Sequence, residues 1–417
     1  MDAFSYRGGC LNCDDLPAAE LASQVGTPCY VYSRAAIEQQ YRTLTDAFAE
    51  ADPLICYSVK ANGNLAVLEL LRGLGSGFDI VSGGELFRVR HIGADPSTVV
   101  FAGVGKTDRE IREALDAGIL MFNAESSSEL AAINRVAADL GTTARVALRL
   151  NPDVDPQTHH YITTGKKENK FGIDFETAAG IVARITDYPH VRLVGYHGHI
   201  GSQVTDPKPH AESLGKLIEF ANQCAPANSE IEYINIGGGF GIDYQPGQAV
   251  PPSAFAKLLV PVIREAGKKL ILEPGRYIAG NSGILLTRVV HVKRSGGRRF
   301  IVCDAAMTDL IRPSLYDAYH AVWPVLSDAP FEENGCGPAD VVGPVCESGD
   351  FLAKGRHLPD VQQGDLLAVF SAGAYGFAMS SNYNARTRAA EVLVDGDTYR
   401  VVRRRESYED LIQQELP

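Results

Sequence analysis

Four short stretches of the chain carry side chains that could do chemistry together. Lys60 closes the run Ile55-Cys56-Tyr57-Ser58-Val59-Lys60-Ala61-Asn62. An amine leaving an apolar stretch sits near low-dielectric surroundings, which lower its pKa and free it to form a Schiff base with an aldehyde. Taken alone, Lys60 reads as an ordinary exposed lysine at a strand end, and it is the other strand ends that reverse this. Gly237-Gly238-Gly239-Phe240-Gly241 offers backbone amides that no side chain shields, as a phosphate requires. Glu273-Pro274-Gly275-Arg276 sets a carboxylate and a guanidinium where another apolar run ends, an internal Glu–Arg pair being the plain alternative. His197-Gly198-His199-Ile200-Gly201-Ser202 puts two imidazoles on one strand face ahead of a small polar turn. With no carboxylate or thiolate companions at ligand spacing, no metal is expected there, and a ring stacked on a flat cofactor fits better.

One cofactor asks for all four features. Pyridoxal phosphate needs an amine for its aldehyde, amides for its phosphate, an anion to keep its ring nitrogen protonated and a flat group against its face. The carboxylate matters because the pyridinium is the electron sink for a carbanion left by loss of carbon dioxide.

These residues need elements that bring them to one rim. Eight β-branched or aliphatic runs recur between residues 52 and 281: Leu54–Lys60, Phe78–Val81, Val99–Val104, Ile119–Ala124, Arg145–Asn151, Val191–Ile200, Tyr233–Gly237 and Leu270–Pro274. Segments of helical period separate them: Asn64–Leu74, Gly84–Ile92, Asp108–Ala117, Ser126–Leu140, Phe175–Ile185, Pro209–Cys224 and Pro252–Ala266. Near-regular spacing without a long crossover favours closure into a (β/α)8 barrel over an open doubly wound sheet. In such a barrel the working groups gather at the strands' C-terminal ends, where the four stretches fall. After Gly283 the pattern turns to hairpins, Ile284–Arg294 with Arg299–Cys303 and Ala390–Val394 with Thr398–Arg403, so a mainly antiparallel β domain is predicted. The short helix Pro17–Val25 and strand Cys29–Ser33 could join that sheet. The expected domains are a barrel over 29–281 and a β-rich substrate and dimerisation domain over 1–28 and 282–417.

Composition narrows the partners. A net charge of −12 argues against nucleic acid, because neutralising phosphates takes clustered cations. The one basic run, Arg403-Arg404-Arg405, is followed at once by Glu406, Glu409 and Asp410. The N-terminal residues lack a basic region leading into an apolar stretch, and no run suits a membrane span; a cytoplasmic protein is expected. Eight scattered cysteines lack the spacing of a disulfide scaffold, and Cys10-Leu-Asn-Cys13 has no second pair at zinc-site spacing.

With these motifs in view, the chain resembles the fold-type III pyridoxal-phosphate decarboxylases, whose barrel is of the alanine-racemase type. The resemblance runs from Gly26-Thr27-Pro28-Cys29-Tyr30-Val31-Tyr32 to Tyr408-Glu409-Asp410-Leu411-Ile412. It implies that Lys60 in Tyr57-Ser58-Val59-Lys60-Ala61-Asn62 carries the cofactor, although the family more often has a smaller residue or Pro where Ser58 stands. It implies that Asp79 in Phe78-Asp79-Ile80-Val81-Ser82-Gly83-Gly84-Glu85 lies near the Schiff base, that His199 stacks on the ring and that Ser202 lies in the phosphate-side turn. Gly239, Gly275 and Arg276 would hold the phosphate, with Glu273 at the pyridine nitrogen. Gly195-Tyr196-His197-Gly198 departs from the family pattern and leaves His197 without an assigned role. Ile311-Arg312-Pro313-Ser314-Leu315-Tyr316, Cys346-Glu347-Ser348-Gly349-Asp350 and Gly373-Ala374-Tyr375-Gly376 also match. By resemblance Cys346 is the proton donor, Tyr375 touches cofactor and substrate, Arg276, Arg312, Tyr316 and Glu347 bind substrate, and the Cys-Glu segment comes from the partner subunit of a homodimer.

The implied reaction is decarboxylation of meso-2,6-diaminopimelate to L-lysine and carbon dioxide. That substrate's far end is itself an amino acid, so its pocket needs cations for a carboxylate and an anion for an ammonium. Arg276, Arg312 and Glu347 supply both, whereas a bare distal ammonium would be repelled by two arginines. A decarboxylase of ornithine, arginine or a carboxylated polyamine precursor, or a non-catalytic pyridoxal-phosphate-binding homologue, remains the alternative. A racemase places an arginine against the ring nitrogen, which Glu273 contradicts. The long polar connection 152–171, with His159, His160, Gly165 and Lys166-Lys167-Glu168-Asn169-Lys170, is expected to act as a lid.

Overall fold

The computed structural model describes residues 3–154, 170–227 and 229–416. Most of the connection expected to be a lid lies outside the described residues. Two compact units divide the chain, one of Gln40–Ile242 with Gly247–Tyr277, the other of Met1–Gln39 with Asp243–Pro246 and Ile278–Pro417.

The first unit is a closed barrel of eight parallel strands in chain order: Leu54–Ser58, Gly77–Ile80, Val99–Phe101, Met121–Ala124, Ala144–Leu150, Val191–Gly198, Tyr233–Asn235 and Lys269–Leu272. The eighth pairs back on the first, with Leu272 opposite Ile55, which excludes the open sheet. Their side chains are almost all buried, as strands covered on both faces must be. Helices follow the predicted segments to within two residues, and five of the seven begin where short polar side chains satisfy the first free amides. Thr107 and Glu110 form a reciprocal capping box at Asp108–Ala117, which stops at Gly118 in the left-handed region, φ 72°. Ser82, Ser126 and Asp174 cap three others.

The second unit is built on a nine-stranded sheet. Gly283–Ser295 and Arg298–Cys303 form the first predicted hairpin around Gly296 and Gly297, both at positive φ. Ala390–Asp395 and Thr398–Arg403 form the second. Cys29–Ser33 lies between Gly283–Ser295, antiparallel to it, and Ala390–Asp395, parallel to it. All five of its residues are buried, so the run needs a neighbour on each side. The unit boundaries accordingly fall after Gln39 and Tyr277, not at the expected 28 and 281. Helix Arg34–Ala47 is an element that the sequence pattern did not separate from its surroundings. Among the described residues no helix is long and apolar enough to cross a membrane.

Candidate active site

The barrel brings Lys60, Asp79, Glu273 and His199 to the strand exits. Lys60 sits in a single turn, Val59–Ala61, that follows the first strand. Its Nζ lies 2.7 Å from Asp79 Oδ2, and its side chain keeps 39% of its surface exposed. Pairing with a carboxylate, rather than the apolar burial that the run suggests, therefore sets the environment of the amine. Ser58 Oγ lies 2.8 Å from the same Asp79 oxygen and 3.0 Å from the Glu273 carbonyl oxygen, its one hydrogen shared between these two acceptors, which ties the first, second and eighth strands together. Glu273 Oε1 accepts from Asn235 Nδ2 at 2.6 Å and from Asn123 Nδ2 at 3.2 Å. His197 Nε2 stands 3.3 Å from Glu273 Oε2. Burial alone would push the Glu273 carboxyl up; His197, Lys60 and the Asn235 amide outweigh it and hold the carboxyl below the ordinary range. Desolvation, with the nearby Arg149 and Lys60 cations, holds His199 well below its ordinary value and neutral.

The glycine run follows the seventh strand, and each glycine is required by a different neighbour. A Cβ on Gly237 would lie 2.5 Å from His199 Nδ1, one on Gly238 2.1 Å from the Glu273 carbonyl oxygen, and one on Gly239 2.5 Å from the Gly201 carbonyl oxygen. The Gly238 amide donates to His199 Nδ1 at 3.3 Å, which orients the imidazole. His210, wholly buried, donates from Nε2 to the Gly238 carbonyl at 2.9 Å and stacks on Phe240. Arg276 donates from Nε and Nη2 to Ser202 Oγ at 3.2 and 3.1 Å. Gly275 is buried beside it.

Several residues here escaped the sequence reading. Asn123, Asn235 and Arg149 are polar side chains inside otherwise apolar barrel strands, a signal that could have found them. Arg149 Nη1 donates to Glu125 Oε1 at 2.8 Å, and its guanidinium lies 4.8 Å over the Phe171 ring. Glu125 also accepts from the amides of Gly103 and Gly172. Lys106, with its side chain only 1% exposed, pairs with Glu129 at 2.6 Å.

The second unit holds the remaining predicted residues. Arg312, 5% exposed, begins the short helix Arg312–Tyr316. Its Nη1 lies 2.9 Å from His320 Nε2 and its guanidinium 5.1 Å over the Tyr244 ring. Tyr316 is half-buried at the end of that helix. Ser314 donates to the Gly349 carbonyl, joining the helix to the segment that bears Cys346 and Glu347. Asp350 closes this segment by accepting from the amides of Val345 at 2.7 Å and Met307 at 2.6 Å. The Cys346 amide donates to Asn384 Oδ1 at 2.7 Å, while the Cys346 and Glu347 side chains are exposed. Tyr375 is half-buried with φ 57°, in the left-handed region. All eight cysteines are free.

The barrel residues fit pyridoxal phosphate. Glu273 is a buried carboxylate with one oxygen held by two amides, and the buried Asp79 Oδ1 beside Lys60 lacks a hydrogen-bond partner. The pyridoxal-binding domain of the pyridoxal-dependent decarboxylases matches residues 34–280. Across 414 residues the chain is 47% identical to a diaminopimelate decarboxylase of Aquifex aeolicus, covering 99% of this chain and 97% of that one. The chain belongs to the diaminopimelate decarboxylase family. A Pseudomonas aeruginosa member is 48% identical over 413 residues, covering 99% and 98% of the two chains. The crystal structure of the M. jannaschii diaminopimelate decarboxylase in complex with L-lysine matches with a TM-score of 0.93 at 38% identity, covering 100% and 98%. Membership of this family makes the chain a carboxy-lyase with pyridoxal phosphate as its cofactor.

Proposed function

We propose that the chain removes carbon dioxide from meso-2,6-diaminopimelate to give L-lysine, the closing step of lysine biosynthesis. Arg312 is the observation that carries the choice of substrate. A guanidinium 5% exposed and directed by an imidazole suits a carboxylate at the far end of the substrate, which ornithine lacks. Near-full-length identity to diaminopimelate decarboxylases supports the same reading.

Bound pyridoxal phosphate supplies an aldehyde for amines and a pyridinium that takes up the electron pair left by departing carbon dioxide. Lys60 Nζ would hold the aldehyde, and Asp79 beside it would accept and return the amine's protons. Glu273 would keep the ring nitrogen protonated, with Asn123 and Asn235 keeping the carboxylate turned and charged. Neutral His199 would take the flat face of the cofactor without adding a second cation. Ser202, Gly239, Gly275 and Arg276 would hold the phosphate. Cys346 would supply the proton to the carbon that has lost its carboxylate. Arg276, Arg312, Tyr316, Glu347 and Tyr375 bind the substrate, Glu347 taking the distal ammonium and Arg312 the distal carboxylate. The protein works as a cytoplasmic homodimer in which each Cys346–Glu347 segment serves the partner's site.

The purified protein with pyridoxal phosphate should release carbon dioxide and L-lysine in equal amounts from meso-diaminopimelate, and neither L-ornithine nor L-arginine should be turned over at a comparable rate. Release from L-ornithine without L-lysine formation from diaminopimelate would overturn the substrate assignment. Borohydride should fix the cofactor to the peptide containing Lys60 in the wild type, and Lys60→Ala should retain none.

A further inference from the structure

Arg312 is held in a way that its sequence motif does not disclose. His320, wholly buried, has Nδ1 2.9 Å from the Phe370 carbonyl oxygen and Nε2 2.9 Å from Arg312 Nη1. A carbonyl oxygen only accepts, so Nδ1 carries the hydrogen and Nε2 presents its lone pair. Arg312 has donors and no acceptor, so the two contacts agree on one neutral tautomer. The Tyr244 ring packs under the guanidinium and meets the His320 ring edge-on at 5.3 Å. The plane of the guanidinium is thereby fixed by a hydrogen bond at one edge and an aromatic face below.

The chemistry of the acceptor matters. A carboxylate in the place of His320 would orient Arg312 equally well but would neutralise it, leaving little attraction for an incoming anion. A neutral imidazole directs the guanidinium and adds no opposing charge of its own. Water or a flexible hydroxyl would leave the guanidinium free to rotate, and ordering it on binding would cost affinity.

We propose that His320 is a positioning residue that sets the selectivity for a distal carboxylate by aiming the Arg312 guanidinium through the tautomer imposed by the Phe370 carbonyl. The inference rests on the reading of Arg312 as the carboxylate's partner. His320 touches neither cofactor nor reacting atoms in this role, so its removal acts on binding of one end of the substrate and not on the chemical step.

The test compares two ligands that differ only in that carboxylate: L-lysine and pentane-1,5-diamine, each as a competitive inhibitor of the holoenzyme. His320→Leu should raise KM for meso-diaminopimelate and Ki for L-lysine together by about tenfold or more, the loss given by a hydrogen bond to a charged group. Ki for the diamine should stay at the wild-type value and kcat should change by less than about threefold. His320→Gln, which keeps one donor and one acceptor, should restore most of the L-lysine affinity. Arg312→Met serves as the reference. If it leaves L-lysine binding unchanged, the reading of Arg312 fails and the inference falls with it. If Arg312→Met loses L-lysine while His320→Leu binds it as the wild type does, His320 has no positioning role and only this inference is overturned. Equal weakening of both inhibitors by His320→Leu would likewise overturn it in favour of plain structural support. Should His320→Leu fail to fold, His320→Asn, too short to reach Arg312, carries the same comparison.

Discussion

A buried carboxylate keeps its charge only where donors and cations outweigh desolvation, and Glu273 and Asp79 fall on opposite sides of that balance. Glu273 is held down by His197, Lys60 and Asn235 against its burial. Asp79 is raised by its burial despite the paired Lys60, and the charge of Glu273 pushes it in the same direction. Their surroundings thus shift the two carboxyls in opposite directions. His210 has a different task, because it supports the glycine run through the Gly238 carbonyl. Burial lowers its pKa from 6.5 to about 4, the hydrogen bond to Gly238 opposing the shift. Its folded pKa lies below its unfolded one, so below pH 6.5 the unfolded chain takes up a proton that the native state refuses. The contribution is fully present above pH 6.5 and is lost as the pH falls towards 4, about 3 kcal/mol in all. Urea midpoints measured from pH 7.5 to 4.5 should fall over this window, and His210→Gln should flatten that part of the dependence.

Among the elements, the turn after the seventh strand is the most constrained. Its three glycines are forced apart in function by what each backbone approaches: an imidazole, the Glu273 carbonyl and the Gly201 carbonyl. Gly239 also has φ 96°, where an L side chain is strained in any space. Gly239→Ala should therefore displace the turn against backbone that cannot yield. Cofactor titration by absorbance is expected to show at least about a tenfold weaker apparent Kd, with the barrel's far-ultraviolet circular dichroism unchanged. The opposite wall of the barrel mouth is stiffened by Arg149, Glu125, Lys106 and Glu129, whose charges satisfy one another and the amides of Gly103 and Gly172. A buried network of this kind holds loops in place only when every member is present.

At the scale of the whole molecule, the proposed sharing of sites between subunits makes a quantitative prediction. Lys60→Ala and Cys346→Ala should each be inactive alone, because one lacks the cofactor's amine and the other the proton donor. If each site takes Lys60 from one subunit and Cys346 from the other, a heterodimer has one site with both residues intact. Random exchange makes half the dimers mixed, so about a quarter of all sites recover. Mixing the two variants under subunit exchange and measuring L-lysine release checks this. Activity that stays at zero after proven exchange would mean that each site is built from a single chain. The Cys346 segment is already ordered by Asp350, Asn384 and Ser314, so complementation needs no rearrangement within it.

The eight strand runs, seven of the helices and both hairpins were legible in the sequence, because burial on both faces and local turn chemistry leave period and composition signals in the chain itself. The motifs around Lys60, Glu273 and Gly239 were legible for the same reason, as polar or small residues standing where apolar runs end. The place of Cys29–Ser33 was open in the sequence, since a five-residue buried run says that it needs neighbours and not which ones. Its pairing with strands more than 250 residues away moved the unit boundary. Tertiary structure alone decided that Lys60 is paired with Asp79 rather than merely buried, that Asn123 and Asn235 converge on one glutamate oxygen, and that His320 stands behind Arg312. Hydrogen bonds between distant residues depend on positions in space to within a few tenths of an ångström. Spacing along the chain carries no record of that.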